Sequence, residues 1–145
     1  MARYTDTVSS SRSQEDTFDY LARFSNTEEW DPGAVRGRDL QHDGKIGVGS
    51  RFSLDFKIGG REQELVYEIT EYERPHRVRL ICTKPLFTSD DTIVVEAAGA
   101  TSRVTYDADV ALRGPLKLLD PLMTIGFKRV AAKAAEGLEE TLSSQ

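Results

Sequence analysis

Tyr67, Tyr106, Asp91 and Cys82 are the side chains of this sequence best suited to chemistry. A phenol on an apolar surface seeks a hydrogen-bond partner, and there it can orient a ligand carbonyl or act as a general acid. The competing reading makes both tyrosines core aromatics whose hydroxyls reach the rim. Asp91, within Asp90-Asp91-Thr92, would be a general base with a raised pKa if it stood at a pocket mouth. Acids are seldom buried, so a solvated strand start is the plainer expectation. Cys82 becomes a nucleophile only where a base lowers its pKa, and neither histidine is near it in sequence, so an inert buried thiol is expected. His42 sits in the polar stretch Gln41-His42-Asp43-Gly44, and His76 follows a proline at a strand start; both read as solvated.

Other chemistries lack their signatures. No residues have zinc-site spacing and no nucleophile elbow occurs, while Gly47-Val48-Gly49 lacks the third glycine of a phosphate-binding turn and precedes a strand. No metal and no cofactor are expected. The formal net charge is −5, with basic residues scattered among acids, so nucleic acid and anionic membrane are poor partners. No stretch approaches the roughly twenty apolar residues of a membrane span, so an integral membrane protein is not expected. The beginning, MARYTDTVSSSRSQ, lacks the apolar core of a secretory signal. The cytoplasm is the expected location, and a single cysteine is compatible with it.

These side chains need elements to position them. At 145 residues, with 39% hydrophobic and 30% charged, the chain reads as one domain over 1–145, able to bury roughly two-thirds of its unfolded surface. Residues 3–10 read as a strand ending at Ser9-Ser10-Ser11. Ser13 caps a helix over about 14–23 whose apolar residues are Phe18, Leu21 and Ala22. A second brief helix follows, capped by Ser25 or Asn26, with Glu28 and Glu29 in its first turn and Trp30 at its end.

From Val35 to Leu112 the pattern alternates. Phe52, Leu54, Phe56 and Ile58 form one dry row, ended by Gly59-Gly60; Leu65, Tyr67 and Ile69 form the next. Then come Val78, Leu80 and Cys82; Ile93, Val95 and Ala97; and Val104, Tyr106, Ala108, Val110 and Leu112. Each strand has one wet and one dry face, as a one-sided antiparallel sheet requires. Leu119, Met123, Phe127, Val130, Ala134, Leu138 and Leu142 recur at helical spacing and predict one long covering helix, from about 115 or 121 to 142, with Pro115 or Pro121 in its first turn.

This order resembles the START-like helix-grip (SRPBCC) superfamily, specifically its bacterial polyketide cyclase/dehydrase and lipid-transport group. The resemblance rests on Trp30-Asp31-Pro32 closing the helix pair, on Gly47-Val48-Gly49-Ser50-Arg51-Phe52 opening a strand, on Glu71-Tyr72-Glu73-Arg74-Pro75-His76-Arg77-Val78 between strands, and on Gly114-Pro115 before the helix. It implies an α+β helix-grip fold: a curved antiparallel sheet of six or seven strands, two short helices near the N-terminus, and one long C-terminal helix packed across the concave face above a cavity. Trp30 would then wall the cavity or anchor the helix pair, and Met123 and Phe127 would face its open end. Small residues on the facing surfaces, Gly126, Ala131 and Ala134 on the helix and Ala108 on the last strand, leave room unfilled.

Three functions follow as expectations. The first is a binding module for a small hydrophobic molecule, a lipid or polyketide, lined by Trp30, Phe56, Tyr67, Leu80, Cys82, Ile93, Tyr106, Met123 and Phe127; its basis is a dry face short of ionisable groups. The second is a polyketide cyclase or dehydratase in which Tyr67, Tyr106 or Asp91 moves protons. The third is a regulatory protein whose mouth loops respond to ligand. Oligomeric state is not legible.

Overall fold

Alternation of apolar and polar residues builds most of the molecule. The computed structural model describes residues 2–41, 45–58, 60–112 and 120–143, the first turns of the last helix as backbone only. Strand β1 (Ala2–Ser10) leads into helix α1 (Gln14–Ala22), a 3-10 turn (Phe24–Asn26) and the short helix α2 (Thr27–Trp30). Then come β2 (Ala34–Asp39), β3 (Arg51–Ile58), β4 (Arg61–Glu73), β5 (Arg77–Thr83), β6 (Phe87–Ala98), β7 (Thr101–Leu112) and helix α3 (Asp120–Ser143). The strands form one seven-stranded antiparallel sheet in the order β1-β7-β6-β5-β4-β3-β2. Hairpin neighbours are consecutive, and β1 closes on β7 from Ala2↔Val110 to Ser10↔Ser102. The architecture is the curved sheet, short helix pair and terminal helix that the alternation and the resemblance imply.

Side chains on β5 and over most of β6 sort by parity. On β5, Val78, Leu80 and Cys82 are fully buried on the concave face, while on the other face Arg79 bonds both Glu71 and Asp90, and Arg77 bonds Glu71. Exposed pairs of this kind contribute about 1 kcal/mol or less each. The concave face carries the core.

Local chemistry sets the helices. Ser13 Oγ accepts from the Asp16 N–H at 3.2 Å, capping α1 as its sequence predicts. The inner face of α1, Phe18, Leu21 and Ala22, is buried. Thr17 is buried as well, and its hydroxyl bridges Ser10 and Ser102 at 2.8 Å each, which pins the helix over β1 and β7. Asn26 precedes α2, but its side chain donates to the Tyr20 carbonyl instead of capping.

Helix α3 begins at Asp120-Pro121, the later of the two expected starts, where proline loses no helical hydrogen bond; Gly114 and Pro115 lie outside the described residues. Its C-terminal half buries Leu138 and Leu142. Ser11 ties its end down, donating to the Leu142 carbonyl from backbone N–H at 3.0 Å and from Oγ at 2.8 Å.

Two glycines set how closely the layers approach. A Cβ on Gly37 of β2 would overlap the Ser25 carbonyl of the 3-10 turn, and one on Gly137 of α3 would overlap the Trp30 carbonyl at the end of α2.

One expectation fails in detail. Strand β6 starts at Phe87, so Asp91 is mid-strand and buried, not a solvated strand start. A register shift in β4 between Ile69 and Glu71 turns Tyr72 inward, where its ring meets Phe18 edge-on with centroids 5.4 Å apart.

Candidate functional site

The concave face changes character along its length. At the end covered by α1, the inward residues Val8, Ile69, Val78, Val95 and Val104 are buried. Toward the other end, Tyr106, Ala108 and Val110 on β7, Tyr4 and Asp6 on β1 and Phe87 on β6 are only half-buried. The packing loosens along β7 and β1 toward that end, while Leu54, Leu65, Cys82 and Leu112 there stay buried.

A chain of hydrogen bonds crosses the sheet where the two regimes meet. Tyr67 on β4 donates to Ser89 on β6 at 3.2 Å; Ser89 donates to Asp91 Oδ1 at 2.8 Å; Tyr106 on β7 donates to Asp91 Oδ2 at 2.5 Å. Strand geometry explains it. Ser89 and Asp91 are two apart and share a face, and the pairings Cys82↔Ser89, Leu80↔Asp91 and Ile93↔Tyr106 bring the rows into line.

Burial raises the Asp91 carboxyl to about 6; hydrogen bonds from Tyr106 and Ser89 pull it down, and the charges of Asp90 and Asp31 push it up. Both tyrosines are pushed well above the ordinary phenol value, first by burial and then by the charge of Asp91.

Trp30 and Asp31 complete the site from the helix pair. Trp30 is buried and meets Tyr106 edge-on, centroids 5.8 Å apart, while its carbonyl backs onto Gly137 of α3. It therefore both walls the polar chain and anchors α2. Asp31 accepts from the Gly33 N–H at 2.8 Å, and its carboxyl is raised by burial. Outside these two residues a groove of about 360 Å³ opens between α2 and α3, lined also by Glu28, Glu29, Pro32 and Glu140.

The other expected residues fall as follows. Leu80 and Ile93 are fully buried beside Asp91 and Tyr106, and Cys82 is buried beside Ser89, where burial pushes its thiol up. Phe56 is half-buried against the core near Gly33. His76 is exposed at the turn, with Nδ1 3.2 Å from Gln14 Nε2. His42 lies outside the described residues, and Met123, Gly126 and Phe127 lie in the part of α3 described as backbone only. Ala108, Ala131 and Ala134 are half-buried.

The expectation of a face short of ionisable groups is wrong. Asp91 and Asp6 point inward, the charge of Asp31 acts on Asp91, and Tyr4 donates to Asp6 Oδ2 at 3.0 Å. Sequence reasoning missed Ser89, Asp31, Tyr4 and Asp6. The available signal was parity: Phe87, Ser89, Asp91, Ile93 and Val95 fall on one face once the strand is known to start at Phe87.

Comparison with known proteins adds the following. The model of the family described as polyketide cyclase / dehydrase and lipid transport matches residues 1–143. No curated protein matches the chain. A START superfamily protein from Mycobacterium smegmatis is similar, at 17% identity with a TM-score of 0.79, covering 98% of this chain and 97% of that one. The Zhui aromatase/cyclase from a Streptomyces species is similar at 11% identity and TM-score 0.74, covering 97% and 92%. A protein from Thermus thermophilus matches at 15% identity and TM-score 0.66, covering 98% and 99%. At such identities the likeness to solved structures is one of fold.

Proposed function

Because this chain belongs to the polyketide cyclase/dehydrase and lipid transport family, we propose that it holds a small hydrophobic molecule between sheet and α3, its polar head against the Tyr67, Ser89, Asp91 and Tyr106 chain. The observation that carries this reading is the position of that chain. It lies where, on β7 and β1, buried apolar residues give way to half-buried inward ones, so an apolar body has partly uncovered surface to bury and a head group has fixed partners.

Trp30 supplies the test, being the single tryptophan and in contact with Tyr106. Titrating a non-fluorescent apolar alcohol such as menthol should change Trp30 emission saturably, and Tyr106→Phe should weaken that response. An emission that never changes, or drifts without saturation, contradicts the reading.

One observation favours a second reading, catalysis of a cyclase or dehydratase type. Asp91 has a carboxyl raised to about 6 and a phenol in hydrogen-bond contact, the arrangement of a general base beside a general acid. Once a substrate is identified, Asp91→Asn and Tyr106→Phe should each lower kcat by about a hundredfold with KM little changed; unchanged kcat removes both from the chemistry.

A further inference from the structure

The inward polar groups of this site share one polarity. Tyr67 donates to Ser89, and Ser89 and Tyr106 donate to the two oxygens of Asp91. Tyr4, one strand beyond, donates to Asp6. A phenol has one hydrogen, and here each is directed along the chain toward a carboxylate, so the tyrosine oxygens offer a guest their lone pairs.

Among the described residues, no cation pairs with these acids. Among the described residues, no lysine or arginine takes a buried or half-buried inward position on β1 or β3 to β7. Lys84, just past the end of β5, donates to the Glu64 carbonyl at 3.1 Å. The groove behind Trp30 has the same sign, with Glu28, Glu29, Asp31 and Glu140 along it.

We propose that the site selects apolar ligands whose head group donates hydrogen bonds, an alcohol, a phenol or a protonated amine, and discriminates against carboxylates such as free fatty acids. The proposal rests on the binding reading above and specifies its ligand class. A carboxylate entering beside Tyr106 would lose its hydration, meet lone pairs instead of donors, and face the charges of Asp91 and Asp31. A hydroxyl instead donates to a tyrosine oxygen without disturbing the chain. An ammonium adds attraction to Asp91, which is still mostly ionised at neutral pH with its carboxyl at about 6.

Three probes with one apolar body separate these outcomes: naphthol, naphthylmethylamine and naphthoate, titrated calorimetrically into the full chain at neutral pH. Naphthol and naphthylmethylamine should bind, and naphthoate should bind at least about tenfold more weakly. In Asp91→Asn, checked for folding by circular dichroism, the ratio of amine to naphthol affinity should fall, and an unchanged ratio contradicts the attraction assigned to Asp91. Naphthoate binding as tightly as naphthol to the natural chain overturns the proposal and leaves the binding reading standing. Failure of all three to bind contradicts the binding reading itself, and the ligand class falls with it.

Discussion

Asp91 concentrates the chemistry of this molecule, because a carboxyl among Leu80, Ile93 and two phenols is costly to ionise. Its pKa rises from 3.8 to about 6 on folding, so the folded state holds this proton more tightly than the unfolded chain does. The associated stability is fully present below the unfolded value and is lost as pH rises through about 6. A shift of this size corresponds to about 3 kcal/mol as an order of magnitude. Asp91→Asn removes the titration. In denaturant unfolding, the variant should match the natural chain near about pH 4 and exceed it near about pH 7.5 by roughly 2–3 kcal/mol. A difference that stays flat with pH contradicts a buried, ionising Asp91.

At the scale of elements, what was legible in the sequence was what local chemistry decides. Ser13 caps α1 because a hydroxyl beside a free N–H needs no distant partner. Trp30 ends α2 where the turn residues Asp31, Pro32 and Gly33 stop a helix. The dry row of β5 follows parity alone. Distant pairing decided the rest. The run Phe87-Thr88-Ser89-Asp90-Asp91 is polar enough to read as loop, yet full pairing with β7, from Phe87↔Leu112 onward, makes it strand and carries Asp91 inward. The inward turn of Tyr72 depends on a bulge that no residue of β4 announces.

The close approach of α3 to α2 is likewise a property of packing, invisible in a helix where Gly137 merely lowers propensity. Gly137→Ala should therefore destabilise by about 1–3 kcal/mol despite improving helix propensity. Gly47→Ala, whose Cβ would meet nothing within 4 Å, should stay within about 0.5 kcal/mol. Thermal or denaturant unfolding of the two variants checks this contrast, and a Gly137→Ala chain as stable as the natural one contradicts the contact with Trp30.

At the scale of the whole molecule, the sheet and its three helices bury the α1 end of the concave face and cover the far end unevenly. Packing by α1 and the Ser10, Thr17 and Ser102 hydroxyls holds the first. The second carries the half-buried residues of β7 and β1 beside the polar chain. No helix among the described residues is long and apolar enough to cross a membrane. A fold of this kind serves many chemistries, so family membership narrows the function without choosing it. Placement of a few polar side chains on an otherwise apolar face makes the choice.

Native mass spectrometry of the freshly purified full chain reads that placement most directly. It should show, beside the bare chain, a species heavier by the mass of one small molecule, released on collisional activation and extracted as a neutral or amine-bearing apolar compound. Only the bare mass, both on isolation and after incubation with menthol or naphthol, would contradict the account.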